Sequence, residues 1–244
     1  MPRLTAIPVL KKYGIIIPAC NESECIGAVL EEFFEFLDPE QFVVAVGVNA
    51  SIDATADLSR EAGAIVGETE KRGYGYGCQA GVEALLALHP EVCVYIFCAG
   101  DGASDPKDIP VLLREYDKGF SLVLGCRTGL PENYANRFSE RRISNWLLGL
   151  YCSVLTGRLF LDLGPFRVID RQLFEAMNLR EWTFGWTIEA QIKAVRLGAK
   201  ICEVAVKERP RLCGNQKVSG LSISHSLSVA LEIVKAGWRA RFCG

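Results

Sequence analysis

Short apolar runs alternate along the chain with longer segments in which apolar residues recur every three or four positions. The runs have the length of strands, and the longer segments have the period of an amphipathic helix. Near-continuous apolar strands separated by helices indicate a mostly parallel sheet covered on both faces, which predicts a doubly wound α/β domain. The predicted strands are 13–18, 42–48, 64–67, 92–98, 121–126, 164–169 and 201–206.

Helices are predicted between these strands. In the first, over 22–37, the apolar residues from Ile26 onwards fall on one face, and Asn21 followed by Glu24 resembles a capping box at its start. The others are predicted at 54–62, 77–88, 106–118, 140–156, 170–177 and 186–197 and from about 221 onwards.

Length and composition favour a single globular domain. A chain of 244 residues, half of them hydrophobic, is long enough for one substantial core. The net charge of -2 gives no general attraction to nucleic acid. Ten cysteines without a CxxC pair, beside two histidines, favour free buried thiols in a reducing cytosol over a zinc site. Without an export signal or a span of about 20 apolar residues, we expect a cytoplasmic protein.

Chemistry is expected where the strands end, because ligands of open parallel sheets bind outside the carboxyl ends. The residues there are PACNE, NASID, CAGDGASDP and CRT. Asp105 precedes Pro106 and fits a helix N-cap. Asp101 lies between Gly100 and Gly102 and has no such task, so it is either a turn aspartate or a ligand for a divalent cation that bridges phosphate oxygens.

Over nearly its whole length the chain resembles the inverting family 2 glycosyltransferases of the GT-A fold. IIIPACNE, VNASIDATADL and AGDGASDP are similar to three motifs of that family, in order. DLGPFRVIDRQLF, the stretch from WTFGWTIEAQ to ICEVAV, and RPRLCGNQKVSG are similar to the distal half of relatives of dolichyl-phosphate mannosyltransferase and other polyprenyl-phosphate glycosyltransferases.

The resemblance implies one glycosyltransferase domain over 1–244, with a nucleotide-sugar-binding half (1–126), an acceptor half (127–220) and a C-terminal amphipathic helix (221–244). The implied donor is a UDP- or GDP-sugar, with Mg²⁺ or Mn²⁺ held by Asp101. The candidate substrate-binding residues up to position 127 are Pro18, Ala19, Asn21, Glu22, Asn49, Ser51, Asp53, Lys71, Gly75, Gly77, Gly100 and Arg127.

Several candidates also have structural interpretations. Asn21 and Asp53 each stand where a helix N-cap is expected. Gly75 and Gly77 lie in EKRGYGYG, which fits either a flexible loop or a backbone that approaches a diphosphate at a helix N-terminus beside Lys71.

Two residues depart from the family pattern. Ala99 takes the place of the first aspartate of the metal motif, and Val48 takes the place of an aspartate that contacts the nucleotide base. These changes leave three possibilities, which are shifted contacts through Asn49 or Ser51, an unusual donor, or a domain that binds but does not catalyse. A nucleotidyltransferase is disfavoured, because the first strand does not lead into a glycine-rich loop.

In the acceptor half, the resemblance places Glu189 towards the acceptor as a general base, whereas its spacing from Lys193 also fits a surface ion pair. A basic loop that is either solvated or binds a phosphate contains Arg209, Arg211, Lys217 and Ser219.

The last helix carries an apolar stripe with nearby cations. Over 221–241 the stripe is formed by Ile223, Leu227, Leu231, Val234 and Trp238. It fits packing on the core, which we favour, or peripheral contact with the inner face of a membrane, where the acceptor would be a lipid phosphate.

Overall fold

The apolar runs form one seven-stranded sheet. The computed structural model describes residues 12–128, 140–213 and 223–243. The strands are β1 (Tyr13–Ala19), β2 (Phe42–Asn49), β3 (Ile65–Thr69), β4 (Val94–Phe97), β5 (Leu122–Cys126), β6 (Arg167–Asp170) and β7 (Ile201–Ala205).

The strands follow the order β3-β2-β1-β4-β6-β5-β7. All neighbouring pairs are parallel except those of β6, which runs antiparallel to both β4 and β5. The predicted mostly parallel sheet is therefore confirmed. Because β6 is reversed, its first residue, Arg167, lies at the edge where β4 ends, opposite Phe97.

Helices cover both faces of the sheet, as the apolar pattern predicts. The helices are α1 (Ile26–Phe36), α2 (Thr55–Glu61), α3 (Tyr74–Leu88), α4 (Ile109–Asp117), α5 (Glu140–Thr156), α6 (Arg171–Met177), α7 (Trp186–Arg196) and α8 (Ile223–Phe242). Successive residues of β1 point to opposite faces, so Ile15 and Ile17 pack with α1 and α4 while Ile16 packs with α3 and α7.

The start of α1 corrects one prediction. The helix begins at Ile26 after Cys25, which makes no side-chain cap, so the capping box of Asn21 and Glu24 is wrong. Asn21 instead adopts a left-handed conformation with φ 54°. Asp105 does act as predicted, because its carboxylate accepts a hydrogen bond from Lys107 N at 3.0 Å ahead of a short 3-10 turn (Pro106–Asp108).

The packing of α8 corrects a second prediction. Small residues, Ala236 and Ala240, face the core, while Leu231, Val234 and Trp238 of the predicted stripe are exposed. Ile223 and Leu227 have side chains outside the described part of the chain. Core packing by the stripe, which we favoured, is therefore wrong for these three residues.

The ten cysteines, all within the described ranges, form no disulfide bonds, and five are buried. The prediction of buried thiols is wrong for Cys93, Cys213 and Cys243, which are exposed.

Candidate functional site

The ends of β1 and β4 meet at the carboxyl edge of the sheet. Cys98 N donates to Ile16 O at 3.0 Å, which aligns the chain after β4 with the end of β1. A Cβ atom on Gly100 would lie 3.0 Å from Pro18 O and 3.5 Å from the Cβ of Ala19. The predicted residues Pro18, Ala19 and Gly100 are thus brought together, and the glycine allows the close approach.

Side-chain hydrogen bonds connect the loops after β1 and β2. Ser51 Oγ accepts from Asn21 N at 2.9 Å, and Asn21 Oδ1 accepts from Ile52 N at 2.8 Å. Asp53 Oδ2 accepts from Ser23 N at 3.1 Å. These bonds fix the conformation of the two loops at the carboxyl edge of the sheet. Asn21, Ser51 and Asp53 therefore have a structural role in addition to any contact with a ligand.

Asp53 is also strongly held in its ionised form. Its Oδ1 accepts hydrogen bonds from both the backbone N–H and the hydroxyl of Thr55, the first residue of α2. Desolvation opposes ionisation, but the hydrogen bonds from Thr55 and Ser23 outweigh it and lower the pKa of Asp53 to about 2. These bonds stabilise the turn ahead of α2, but the N-cap of α2 is Ala54, so the N-cap interpretation of Asp53 is wrong.

The start of α3 packs directly against β2. Asn49 is buried, and its Nδ2 donates to Gly73 O at 3.0 Å. A Cβ on Gly47 would lie 1.8 Å from Gly77 O, so only glycine fits there. Lys71 is exposed, with its Nζ 5.4 Å from the ring centre of Tyr76. This arrangement brings the glycine-rich helix start beside the strand ends.

Asp101 lies at the rim of this edge. Its Oδ1 accepts from Ala103 N at 3.1 Å across Gly102, whose φ of 78° suits glycine. Its side chain is 17% exposed, and its Oδ2 lies 3.5 Å from Arg211 Nη1. The carboxylate is therefore accessible and paired with a cation.

Arg211 joins Asp101 to Glu22. Its Nη2 donates to Glu22 Oε2, while Cys25 Sγ approaches the same oxygen at 3.2 Å. Leu212 N also donates to Asp101 O at 3.0 Å, which holds the Arg211 segment across the Asp101 loop. Two carboxylates of the predicted site thus share one guanidinium.

Arg209 points into the protein. Its guanidinium pairs with Glu32 and donates to Gly102 O at 2.9 Å and Ser104 O at 3.2 Å. The hydrogen bond from Arg209 lowers the pKa of Glu32. Since these contacts occupy its donors, Arg209 shapes the loop that carries Asp101.

The guanidinium of Arg127 is likewise bound by carboxylates of the protein. It forms a fork with the buried Asp162, with Nε–Oδ2 at 2.8 Å and Nη2–Oδ1 at 2.7 Å, and its Nη1 lies 3.8 Å from Glu208. Burial opposes ionisation of Asp162, but the charge of Arg127 outweighs it and lowers the pKa of the carboxyl. The contacts of Arg127 therefore favour a structural role over the predicted substrate binding.

Glu189 is buried. Its Oε2 accepts from Arg180 N at 2.9 Å and Glu181 N at 2.8 Å, and Lys193 Nζ lies 2.7 Å from Oε1. The ion pair with Lys193 exists, but the prediction that it is a surface pair is wrong. The loop that Glu189 holds leads to Trp182, whose carbonyl accepts from Tyr76 N at 3.2 Å near the start of α3.

Two candidates and the two departures from the family pattern remain. Lys217 and Ser219 fall outside the described residues. Ala99 N donates to Ser104 Oγ at 3.1 Å, and Val48 is buried in the core. Within the described ranges, no cluster of three or more His, Cys, Asp or Glu side chains is arranged to hold a metal ion.

Sequence reasoning missed Asp162 and Arg167, both buried at this edge of the sheet. A signal was present, since Asp162 and Arg167 are the two charged residues of the otherwise largely apolar stretch LFLDLGPFRVI. Such residues are rarely fully buried without a partner or a function.

Comparisons with known proteins agree with this geometry. The model of glycosyl transferase family 2 matches residues 14–177. An uncharacterized glycosyltransferase of Mycobacterium bovis is 31% identical over 224 residues, covering 91% of this chain and 95% of that protein. An undecaprenyl-phosphate mannosyltransferase of Micrococcus luteus is 26% identical over 239 residues, covering 94% and 95%.

The fold also has solved counterparts. A complex of glucosyl-3-phosphoglycerate synthase from Mycobacterium tuberculosis with Mn²⁺, UDP and glucosyl-3-phosphoglycerate matches with a TM-score of 0.69 and 18% identity, covering 95% of this chain and 80% of that one. This likeness confirms the predicted GT-A fold.

The chain shares its fold with the GT-A counterpart, and its polar loops gather at the carboxyl edge of the sheet, where open α/β sheets bind ligands. With its sequence matched over more than half its length, the chain belongs to glycosyl transferase family 2. The predicted family and enzyme class are confirmed.

Proposed function

We propose that this glycosyltransferase moves a hexose from a nucleoside diphosphate sugar to a polyprenyl phosphate, with inversion at the anomeric carbon. The observation that carries the proposal is the position of Asp101, a partly exposed carboxylate at the carboxyl edge, beside the loops after β1 and β2. The undecaprenyl-phosphate mannosyltransferase among the relatives supports the acceptor class. The UDP and Mn²⁺ of the solved counterpart support the donor class and a divalent cation.

The residues at the edge fit a divalent cation of the Mg²⁺ or Mn²⁺ type. Such ions are commonly bound by one or two carboxylates together with substrate phosphates. Asp101 and Glu22 already share one positive charge, that of Arg211. Asp101, with Glu22 beside it, would hold the ion once Arg211 withdraws. When bound, the ion stabilises negative charge on the departing nucleoside diphosphate.

The chain's own residues provide the frame for the donor. The start of α3 lies beside β2, and helix N-termini favour anions, although Tyr76 N already donates to Trp182 O at 3.2 Å. The loop after β4 closes against Pro18 and Ala19, which limits where the diphosphate can lie. These contacts orient the donor so that its anomeric carbon faces the acceptor.

A phosphate acceptor removes the need for a general base. Its oxygen is already anionic, so it attacks the anomeric carbon as the bond to the diphosphate oxygen breaks, and no proton has to be removed. This accords with Glu189, whose carboxylate is occupied by two backbone N–H groups and Lys193. We assign Glu189 to positioning of the 180–182 loop.

Release of the nucleoside diphosphate tests the proposal. Purified protein is incubated with UDP-glucose or GDP-mannose, Mn²⁺ and a short polyprenyl phosphate. We expect release that depends on both Mn²⁺ and the acceptor, and Asp101→Asn should lower the rate about a hundredfold or more because metal-held charge is lost.

Asp117→Asn at the far end of α4 is the matched control and should keep full activity. Native protein that releases nothing with either donor would favour the alternative of a catalytically silent domain, which Ala99 and Val48 motivate. Full activity of Asp101→Asn would instead remove Asp101 from the mechanism.

An exposed apolar surface supports contact with the membrane that holds such an acceptor. On α5 it consists of Trp146, Leu147, Leu150 and Val154, and on α8 of Leu231, Val234, Trp238 and Phe242. The two helices are joined by a hydrogen bond from Tyr151 Oη to Val234 O at 2.9 Å, so their exposed faces adjoin. Within the described ranges, no helix is both long and apolar enough to cross a bilayer.

We expect this apolar surface to bind vesicles, with Lys235 and Arg241 near anionic head groups. The double variant Val154→Ser/Trp238→Ser should sediment about tenfold less with phosphatidylglycerol vesicles, since each apolar side chain contributes on the order of 1–2 kcal/mol. Leu88→Ser, at an exposed leucine on α3, is the control. Equal sedimentation of all three proteins would contradict membrane contact through this surface.

A further inference from the structure

Arg167 is a fully buried cation in the interior beneath the site. It begins β6, and none of its surface is exposed. Nη2 donates to Gly164 O, while Nε and Nη1 find no hydrogen-bond partner among the described residues. The guanidinium lies over the indole of Trp186, 5.3 Å from the ring centre. Burial lowers the pKa of Arg167, but an arginine remains protonated in proteins.

The charge of Arg167 is not balanced by a carboxylate. Asp162 is close enough to interact electrostatically with Arg167, but its oxygens accept hydrogen bonds from Arg127 and Asn145. No ion pair of Arg167 exists in the part of the chain that the structure describes. An unpaired buried charge carries a large desolvation cost, so its retention calls for a function.

The fold places this charge behind the predicted diphosphate position. Arg167 pairs with Phe97, the last residue of β4, and the Asp101 loop follows directly. Trp186, on which the guanidinium stacks, borders the first turn of α3, because a Cβ on Gly75 would lie 2.7 Å from its Cδ1. Tyr74, also in that turn, packs edge-on against Trp186, with the ring centres 5.4 Å apart. The buried charge therefore adds to the positive end of the α3 dipole.

We infer that Arg167 is a positioning residue for the donor, whose buried charge raises the electrostatic potential at the start of α3 and so strengthens binding of the nucleoside diphosphate group. The inference rests on the proposed function and deepens it. Arg167 does not touch the substrate. Its charge acts through an interior of low dielectric constant, where attraction between charges is stronger than in water.

The test compares ligands of increasing charge. Arg167→Met removes the charge and keeps a long, flexible side chain against Trp186. Affinities for uridine, UMP and UDP are measured by calorimetry with Mn²⁺, and GDP with guanosine and GMP replaces this series if UDP does not bind. We expect affinity for the diphosphate to fall on the order of tenfold, that for the monophosphate to fall less, and that for the nucleoside to stay unchanged.

Thermal unfolding of the same variant distinguishes the effect of the lost charge from an effect of lost packing. Since replacing a buried unpaired ion with an apolar group is often neutral or stabilising, Arg167→Met should unfold at the native temperature or above it. The matched control is Arg158→Met. Arg158 also lies over an aromatic ring, that of Phe160, but it donates to Ile201 O at the opposite edge of the sheet, where β7 begins.

Several results would overturn the inference. An equal loss for uridine, UMP and UDP would assign Arg167 to packing, as would an unchanged affinity for UDP. If Arg167→Met does not fold, Arg167→Gln is measured in its place, and failure of both to fold would make the residue structural. Native protein that binds neither UDP nor GDP would overturn the proposed function together with this inference, whereas native-like binding by Arg167→Met would overturn the inference alone.

Discussion

At the scale of single residues, Arg211 occupies the place proposed for the metal ion. Arg211 contacts the carboxylates of both Asp101 and Glu22. Because like charges repel, Arg211 Nη1, which lies 3.5 Å from Asp101 Oδ2, would disfavour a divalent cation at that oxygen. If Asp101 holds the metal ion, as we propose, Arg211 would compete with that ion, and the alanine at position 99 leaves no second aspartate of the family motif to offset the competition.

Removing this competitor should strengthen binding of the metal ion in the absence of nucleotide. We expect Arg211→Gln to bind Mn²⁺ about fivefold more tightly, because a partly exposed ion pair contributes about 1 kcal/mol. The amount of free Mn²⁺, measured by electron paramagnetic resonance, reports the affinity. Arg114→Gln on α4 is the control, and weaker binding of Mn²⁺ by Arg211→Gln would show that Arg211 does not compete.

At the scale of elements, close contact between α3 and β2 depends on two glycines. The carbonyl of Gly77 lies where a Cβ of Gly47 would stand. The sequence showed a glycine-rich start of α3 but not this contact, because Gly47 lies in an apolar run that gives no sign of its neighbour. The start of α1 was similarly hidden, since Asn21 bonds to a loop 30 residues away.

Substitution at Gly47 should separate α3 from the sheet. Gly47→Ala should lower the free energy of unfolding by about 3 kcal/mol or more, because the added methyl group overlaps backbone that cannot move aside cheaply. Gly27→Ala on α1 is the matched control. It meets no atom within 4 Å and should raise stability by about 0.5–1 kcal/mol through helix propensity.

Urea unfolding measures both values. Equal stability of Gly47→Ala and the native protein would contradict the packing of α3 described above.

At the scale of the whole molecule, the sequence predicted the layers and the ligand edge but not the charge network. Alternating strands and helices are local patterns, and strand ends follow from them. The partners of the charges are not local, because Arg209 meets Glu32 across 177 positions and Arg211 meets Glu22 across 189. The reversal of β6, which brings Arg167 to the site, also depends on pairing with β4 and β5 and has no signature in the run itself.

The most direct test of the account is a crystal structure of the native protein with UDP and Mn²⁺, examined for the anomalous signal of manganese. The account predicts a manganese peak bound by an oxygen of Asp101 and by oxygens of the diphosphate, with Arg211 moved away from Asp101. A diphosphate bound without manganese at Asp101, while Arg211 keeps its contacts with Asp101 and Glu22, would contradict it.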